Sequence, residues 1–473
     1  MHMEPHSQHK FGQWQEENKI LQELKAVRPE LFATEKRSSV PILQEIGIAK
    51  SSEGLPMGYI KYLPFDFIVE EIRKDGSVVT IERAEEQNTV QSEGATVFAD
   101  LVKVGISSIE AVELIAKSLA CDPRQLSYAG IKDTVAITAQ KMSIRNIPSS
   151  TVASLTIPQL FLKNITVGKG VIMVGDLEGN RFTLYIRTSN DFDPSALDAQ
   201  VAAIKADGLY NYYGPQRFGT PRYISHILGK YILQGNFEMA VRSIISKTSK
   251  FEWLFVTQLR QKAEQLGTDW KKIHALFSTV PYTFRSELQL LERLLQWNGT
   301  GDQWIYALGF APDQIDLWCK AYASYLANKL LYKAEHGDIE LPEQIPLLLN
   351  TAEAEKIEAL YGAYLREDGT TNFRSALAKF RFIRVGSNSY ISTKIFPTIH
   401  HIKKMPHGVA LSFDLVKGAY ATTLLYELFD IVEGEEYVEK INTDYVDTKK
   451  ELGIGSFEDI YDWASQYVDP ENR

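Results

Sequence analysis

The pattern of apolar and polar positions changes several times along this chain of 473 residues. The first segment, WQEENKILQELKAV, carries Ile20, Leu21, Leu24 and Val27 at helical spacing. The sequence RSSVP then interrupts the helical pattern. We therefore predict a helical N-terminal extension over residues 1–50.

From about residue 58 the apolar period becomes that of strands. In GYIKYLPFDFIVEEI, Phe65, Phe67 and Val69 alternate with Asp66, Ile68 and Glu70 and predict one strand. The segments ATVFADLVKV and NRFTLYIRTS predict others. Between these strands, Ser107 and Glu110 fit a capping box that opens a helix. We place Ile109 on the apolar face of this helix, together with three later residues.

The pattern is mostly helical from about residue 225 to 375, and strands return near HGVALSFDL before a last helix, ATTLLYELFD. This order favours an α+β fold with a mixed or antiparallel sheet, interrupted by a largely helical insertion. After the N-terminal extension we expect the first part of the sheet domain over 51–220, an insertion domain over 221–375, a return to the sheet domain over 376–430 and an acidic C-terminal tail over 431–473.

The net charge of −9 is concentrated at the C-terminus. From Tyr426 to Arg473 there are 14 acidic and 4 basic residues, and the remaining chain has 46 acids and 47 bases. A local basic surface is therefore possible on the main body, so the total charge neither excludes nor suggests an RNA partner.

Other features restrict the class of protein. No run of about 18 apolar residues is present, so we expect no membrane association. The first residues, MHMEPHSQHK, lack the apolar segment of a secretory signal. Cys121 and Cys319 are the two cysteines and lie far apart, which favours a reducing, cytoplasmic location over a disulfide framework.

Motifs for metals and nucleotide cofactors are missing from the sequence. His400, His401 and His407 cluster without metalloprotease spacing or a neighbouring cysteine pair. There is no P-loop and no G-x-G-x-x-G after a predicted strand. We expect neither a metal nor a cofactor.

The segment SYAGIKDTVAITAQ holds the first candidate for chemistry, Asp133 beside Lys132. An aspartate in such a turn usually bonds to nearby backbone N–H groups. The alternative is a carboxylate that a nearby cation keeps ionised, so that it can act as a nucleophile or transfer a proton. We expect Gly130 to supply the tight turn that points this carboxylate outward.

Two further segments are candidates for contact with nucleic acid. In LYNYYGPQRFG, Gln216 and Arg217 follow three tyrosines, and the segment is either a packed corner or an RNA-binding surface. In EGNRFTLYIR, Asn180 and Phe182 share one strand face. An isolated Phe is usually core, whereas an Asn beside it suits hydrogen bonding to a flipped base that the Phe stacks on.

Five segments occur in the order seen in the TruD family of tRNA pseudouridine synthases, which this chain resembles: IKYLPFDFIVEE, AGIKDTVAITAQ, EGNRFTLYIR, NYYGPQRFG and KGAYATTLLYEL. The resemblance implies a pseudouridine-synthase catalytic domain with a family-specific insertion domain. It also implies isomerisation of a uridine in RNA, typically at position 13 in the D-arm of tRNA, without cofactor or metal.

The resemblance also assigns residues. Asp133 matches the catalytic aspartate, and Asn180 and Phe182 match an active-site pair in which Phe182 is the stacking surface. Lys61 matches a lysine expected near Asp133, with Lys132 as the alternative cation. Gln216 and Arg217 also match the family, either as RNA contacts or as a hinge. The alternatives are a TruD-like synthase acting on other RNA and a non-catalytic RNA-binding or RNA-folding protein.

Overall fold

The fold is that of a computed structural model, which describes residues 5–33, 37–50, 53–83, 95–189, 195–350, 352–380, 390–433 and 435–467. The strands are β1 (Arg37–Ser38), β2 (Met57–Tyr59), β3 (Phe67–Ile72), β4 (Val78–Val79), β5 (Thr96–Val104), β6 (Leu126–Tyr128), β7 (Ile137–Arg145), β8 (Leu160–Gly168), β9 (Gly179–Arg187), β10 (Leu209–Tyr210), β11 (Gln344–Pro346), β12 (Tyr390–Ser392), β13 (Lys394–Ile395), β14 (Thr398–Met405), β15 (Gly408–Val416) and β16 (Asp430–Glu433).

The helices follow the same numbering along the chain. They are α1 (Pro5–Val27), α2 (Ser39–Glu45), α3 (Ser108–Ser118), α4 (Ser149–Ala153), α5 (Ala196–Asp207), α6 (Ser225–Leu233), α7 (Phe237–Ser246), α8 (Leu254–Gln265), α9 (Trp270–Phe277), α10 (Arg285–Gln296), α11 (Gln303–Leu308), α12 (Pro312–Glu335), α13 (Ala354–Glu367), α14 (Phe373–Leu377), α15 (Ala421–Leu428), α16 (Thr448–Leu452) and α17 (Glu458–Ser465). No helix among the described residues is long and apolar enough to cross a membrane.

The chain divides into two compact units. The helical unit comprises residues 1–51 and 212–393, and the sheet unit comprises residues 52–211 and 394–473. One of the divisions falls inside the sequence NYYGPQRFG, between Asn211 and Tyr212. The helical unit therefore contains both the N-terminal extension and the segment for which the sequence predicts an insertion.

The sheet unit is built on a mixed sheet, and the α+β fold class expected from the sequence is confirmed. Its central order is β16-β2-β9-β3-β7-β5-β8, with β15 also pairing with β9. The pairs β3–β7 and β16–β2 are parallel, whereas β9–β3, β9–β15, β5–β7 and β5–β8 are antiparallel. Strands from distant parts of the chain therefore meet at β3 and β9.

Helices cover one face of this sheet. Phe182, Leu184 and Ile186 of β9 point to the same side, as their period of two predicts, and join one core cluster with residues of α5 and α15. Helix α3 packs a second cluster against β5, β7 and β8. Its N-cap is Ser107, whose hydroxyl accepts from the Glu110 N–H at 3.1 Å.

The structure corrects two local predictions. Ile109 is 55% exposed, because the buried stripe of α3 begins at Ala111. Strand β3 begins at Phe67, since Pro64–Asp66 forms a 3₁₀ turn, and both faces of β3 are buried. A strand covered on both faces does not show the apolar–polar alternation of a half-buried one.

The C-terminal segment covers the second face of the sheet. Phe457, Ile460 and Ala464 pack with Phe65 and Ile68 in one buried cluster. The acidic composition of this segment therefore accompanies a packed structure up to residue 467. Its packing explains why Glu70, on the face of β3 that includes Ile68, is buried.

A buried ion pair fixes this segment to the sheet. The Arg187 guanidinium contacts both carboxylate oxygens of Asp66 at 2.8 Å, and both side chains are fully buried. Its remaining nitrogen, Nη1, donates to the backbone carbonyls of Asn442 and Asp444 at 2.6 and 2.9 Å. The guanidinium therefore has an oxygen partner on every side.

We expect Asp66→Asn to lower the free energy of unfolding by about 3–5 kcal/mol, because it leaves the Arg187 charge buried without a counterion. The measurement is urea denaturation of both proteins. Asp198→Asn is the matched control, since the Asp198 side chain pairs with Lys404 at the surface and is 73% exposed. Such a pair contributes about 0–1 kcal/mol. Equal losses in the two variants would contradict the expectation.

Candidate active site

Asp133 lies in the loop that joins β6 to β7, and its carboxylate forms an ion pair with Lys61. The Lys61 Nζ is 2.6 Å from Asp133 Oδ1. The side chain of Asp133 is 30% exposed and that of Lys61 is 17% exposed, so a substrate can reach the carboxylate. The ammonium stabilises the negative charge of the carboxylate.

Lys61 itself has an unusual backbone conformation, with φ at +58° just after β2. For a residue with a side chain this conformation costs roughly 1–2 kcal/mol. It is accompanied by close placement of the ammonium, 4.2 Å from the centre of the Phe67 ring and in contact with Asp133. Strain of this kind is concentrated at functional sites.

Lys103 of β5 is hydrogen-bonded to the main chain of the Asp133 loop. Its side chain is fully buried, and Nζ donates to the backbone carbonyls of Ile106 and Asp133, both at 2.7 Å. Burial lowers the pKa of Lys103 to about 8, although the nearby charge of Asp133 opposes this shift. The lysine thus fixes the main chain at Asp133 rather than its carboxylate.

Lys132 points away from the surface and joins two strands. Its Nζ lies 3.0 Å from Oε2 of Glu71 on β3 and donates to Oδ1 of Asn180 on β9 at 2.7 Å. Glu71 and Asn180 are directly opposite each other in the β3–β9 register. Burial lowers the pKa of Lys132, against the effect of the Glu71 charge. Of the two lysines proposed as the cation beside Asp133, it is Lys61 that contacts the carboxylate.

Phe182 lies mostly in the core. Its ring stacks on Phe413 with 5.2 Å between ring centres and meets Phe67 edge-on at 6.1 Å. Only 5% of its surface is exposed. The structure therefore favours core packing for this ring, and only a small part of the residue is accessible.

The expectation for Gly130 is wrong. Its φ is not in the left-handed region, and a Cβ added there would meet no atom within 4 Å. The turn at Asp133 is instead held by the lysine contacts and by Ser108, whose hydroxyl accepts from the Lys132 N–H at 2.9 Å. The backbone conformation at residue 130 therefore does not require a glycine.

Gln216 and Arg217 belong to the helical unit. They lie in the 3₁₀ turn Pro215–Phe218, where Gln216 is exposed. Arg217 donates to the Ser324 hydroxyl at 3.1 Å and lies 5.7 Å from the centre of the Tyr213 ring. These contacts within the unit hold Arg217 in place.

Glu71 and Lys103 are not among the residues that the sequence predicts for the site. Both are charged residues within largely apolar strand sequences, FIVEEI and ATVFADLVKV. A charge in a strand usually faces water, so the pattern alone did not mark them. The useful signal would have been that both strands are central, where charges need buried partners. In the part of the chain that the structure describes, no group of three or more His, Cys, Asp or Glu could hold a metal ion.

On this mixed sheet a partly exposed carboxylate lies 2.6 Å from an ammonium group, and nucleophilic catalysis can use a carboxylate in such a place. Comparison with known proteins gives the family. The family model for tRNA pseudouridine synthase D (TruD) matches residues 48–346. The chain belongs to the TruD family, as the sequence resemblance predicts, and is a pseudouridine synthase, an isomerase.

Individual relatives agree with this assignment. A protein of Pyrobaculum aerophilum described as "Probable tRNA pseudouridine synthase D" is 31% identical over 80% of this chain and 94% of its own length. One of Methanococcus vannielii with the same description is 27% identical over 78% of this chain and 94% of its own. A crystal structure described as TruD from Methanosarcina mazei shares the fold, with a TM-score of 0.55 and 21% identity over 82% of this chain and 98% of that one.

The lowered pKa of Lys103 makes the free energy of unfolding depend on pH. Below pH 8 the ammonium is charged in both the folded and the unfolded chain, whereas between pH 8 and about 10.5 mainly the unfolded chain holds the proton. This group therefore raises the free energy of unfolding as the pH rises through that interval. Lys103→Met removes the effect.

We expect the stability of wild type relative to Lys103→Met to increase by roughly 2–3 kcal/mol from pH 7 to pH 10. The measurement is urea denaturation at pH 7, 8, 9 and 10, with Lys117→Met on the exposed side of α3 as the matched control. A difference between wild type and Lys103→Met that stays constant with pH would contradict the assignment.

Proposed function

We propose that this protein isomerises a uridine of tRNA, at position 13 in the D-arm, to pseudouridine, with Asp133 as the nucleophile. The observation that carries the proposal is the accessible Asp133 carboxylate, 2.6 Å from the Lys61 ammonium. The tRNA substrate is supported by the descriptions of the relatives from P. aerophilum and M. vannielii. A tRNA substrate in turn favours a cytoplasmic location, which suits the two free thiols.

In the proposed reaction the carboxylate of Asp133 attacks C1′ of the ribose and the bond from C1′ to N1 of the base breaks. The freed uracil turns, and its C5 then forms the new bond to C1′ as the carboxylate leaves. A proton moves from C5 to N1, so the product has the same atoms as the substrate. No oxidant or added group is required.

The target uridine must first turn out of the folded RNA, because a nucleotide within a base stack cannot bring its ribose to the Asp133 carboxylate. Turning out a nucleotide costs about a few kcal/mol. Contact with the accessible part of Phe182 offsets part of that cost in this proposal. In this proposal the ion pair with Lys61 positions the attacking carboxylate, and Lys103 keeps the main chain at Asp133 in position.

The contact between Lys132 and Asn180 supports a specific way of recognising uracil. An ammonium group only donates hydrogen bonds, so the Asn180 atom that faces it at 2.7 Å must be the oxygen. The Asn180 amino group then faces away from Lys132. It is a donor, and uracil presents carbonyl oxygens as acceptors. In this proposal the buried Glu71–Lys132 pair fixes the amide in the orientation that suits uridine.

The first test is to map pseudouridine by carbodiimide labelling and primer extension on unmodified tRNA transcripts. We expect wild type to produce a stop at a D-arm uridine and Asp133→Asn to produce none. The variant should bind tRNA within about tenfold of wild type, or roughly 1.4 kcal/mol, since one nearly isosteric change adds little to a large interface. Asp207→Asn, an exposed change at the end of α5, is the matched control and should retain activity.

The other outcomes identify the alternatives. A wild-type stop at another uridine would leave the enzyme in place and change the position. RNA binding without a stop in any tRNA would indicate another RNA substrate or a non-catalytic RNA-binding role. Full activity of Asp133→Asn would exclude the nucleophile.

We expect Asn180→Asp to lower kcat/KM by about 10–100-fold, because it replaces the proposed donor by an oxygen and leaves uracil without its partner. The measurement is steady-state tritium release from tRNA labelled at C5 of uridine. Asn146→Asp is the matched control: Asn146 is exposed and has φ at +60°, a conformation that aspartate also tolerates. Equal kcat/KM values for Asn180→Asp and Asn146→Asp would show that the Asn180 amide does not recognise the base.

A further inference from the structure

Four apolar side chains are exposed beside the loop of Asp133. Val174 is 89% exposed, Ile131 is 70% exposed and Met173 is 64% exposed, with Val171 less so. Single apolar residues on a surface are common and need no explanation. These four, which we call the apolar rim, come from two loops that are hydrogen-bonded to each other.

The loop that carries most of the apolar rim joins β8 to β9 and is held at several points. The Gly175 N–H donates to the Ala129 carbonyl at 2.8 Å, next to the Asp133 loop. The Ile172 N–H donates to the Ser143 hydroxyl at 3.1 Å, and the Lys74 ammonium lies 2.7 Å from Asp176. A loop held in this way keeps its apolar side chains in water, although burying them would be favourable.

The apolar rim is close to the proposed chemistry. Ile131 precedes Asp133 by two residues, and two residues of chain span at most about 7 Å. The hydrogen bond between Gly175 and Ala129 brings Met173 and Val174 to the same loop. The apolar rim is therefore carried by the Asp133 loop and by the loop hydrogen-bonded to it.

Lysines flank the apolar rim. Lys169 is exposed on the same loop, Lys74 pairs with Asp176 of the loop, and Lys417 donates to the Gly175 carbonyl at 3.2 Å. Apolar side chains between ammonium groups match RNA, which carries phosphates outside its stacked bases. Lysines that neutralise phosphates are what attracts a protein to nucleic acid, so RNA is the partner that these lysines favour.

We propose that the apolar rim is a wedge that occupies the gap left in the base stack when the target uridine turns out of the RNA. The idea rests on the proposed function, since it needs an RNA with a displaced uridine. Proteins that bend DNA insert apolar side chains between base steps to hold the distorted helix, and the same physics applies to stacked bases in RNA. The wedge acts on the neighbours of the uridine, and Asp133 acts on the uridine itself.

The test is the double variant Met173→Ser, Val174→Ser. We expect its kcat/KM on folded tRNA to fall at least tenfold, with an unchanged thermal unfolding midpoint. Val27→Ser in the helical unit, which removes another exposed valine, is the matched control and should remain within twofold of wild type. A double variant within twofold of wild type would overturn the wedge.

A second measurement separates contact with RNA from an indirect effect on the loop. Both Asp133→Asn and the triple variant that adds the two serine changes are bound to tRNA with 2-aminopurine next to the target uridine. We expect the emission of 2-aminopurine to differ between the two complexes, because the wedge touches that base. Identical emission would overturn the proposal even if the rate falls. If wild type formed no pseudouridine in tRNA, the proposed function would fail and the wedge with it.

Discussion

The site depends on one constraint: the ammonium group of a buried lysine must have oxygen atoms that accept its hydrogen bonds. Lys103 finds two backbone carbonyls, one of them that of Asp133. Lys132 finds Glu71 and Asn180. Because leaving any of these ammonium groups unpaired would cost several kcal/mol, the segment around Asp133 has little freedom to move. The position of one accessible carboxylate is thus set by charged side chains that are themselves buried.

The same constraint links the site to the far side of the sheet. Neighbouring residues of β3 face opposite sides, so Glu71 points to the site while Glu70 points to the C-terminal segment. Glu70 is paired there with the buried Lys449 at 2.6 Å. The carboxylate of Asp66 likewise depends on Arg187, which also binds the chain near Asn442. The acidic C-terminal segment therefore helps to exclude water from the central strands and supplies partners for their charged side chains.

The sequence predicted the α+β class from the order of its strand and helix patterns, and it left Lys61 and Lys132 open as the cation beside Asp133, because a motif does not show which side chains touch. Glu71 and Lys103 were missed because a charge in a strand has the same sequence pattern whether it faces water or a buried partner. The C-terminal segment was described by its net charge, whereas its packing comes from a few apolar residues such as Phe457 and Ile460. Gly130 shows the opposite error, since a turn-forming residue type was given a backbone role that its φ does not require.

The division of labour within the sheet unit follows from these contacts. Charged groups that must be precise, Lys61, Lys103 and Lys132, are held by short bonds to strands and to the Asp133 loop. The loop with most of the apolar rim is held by main-chain hydrogen bonds, while the Val174, Ile131 and Met173 side chains are mostly exposed. Precise polar contacts suit a reaction centred on two atoms of one nucleotide, and adaptable apolar contacts suit bases whose identity varies. Recognition of a whole RNA then needs contacts beyond both groups, because neither the carboxylate nor the rim distinguishes one uridine from another.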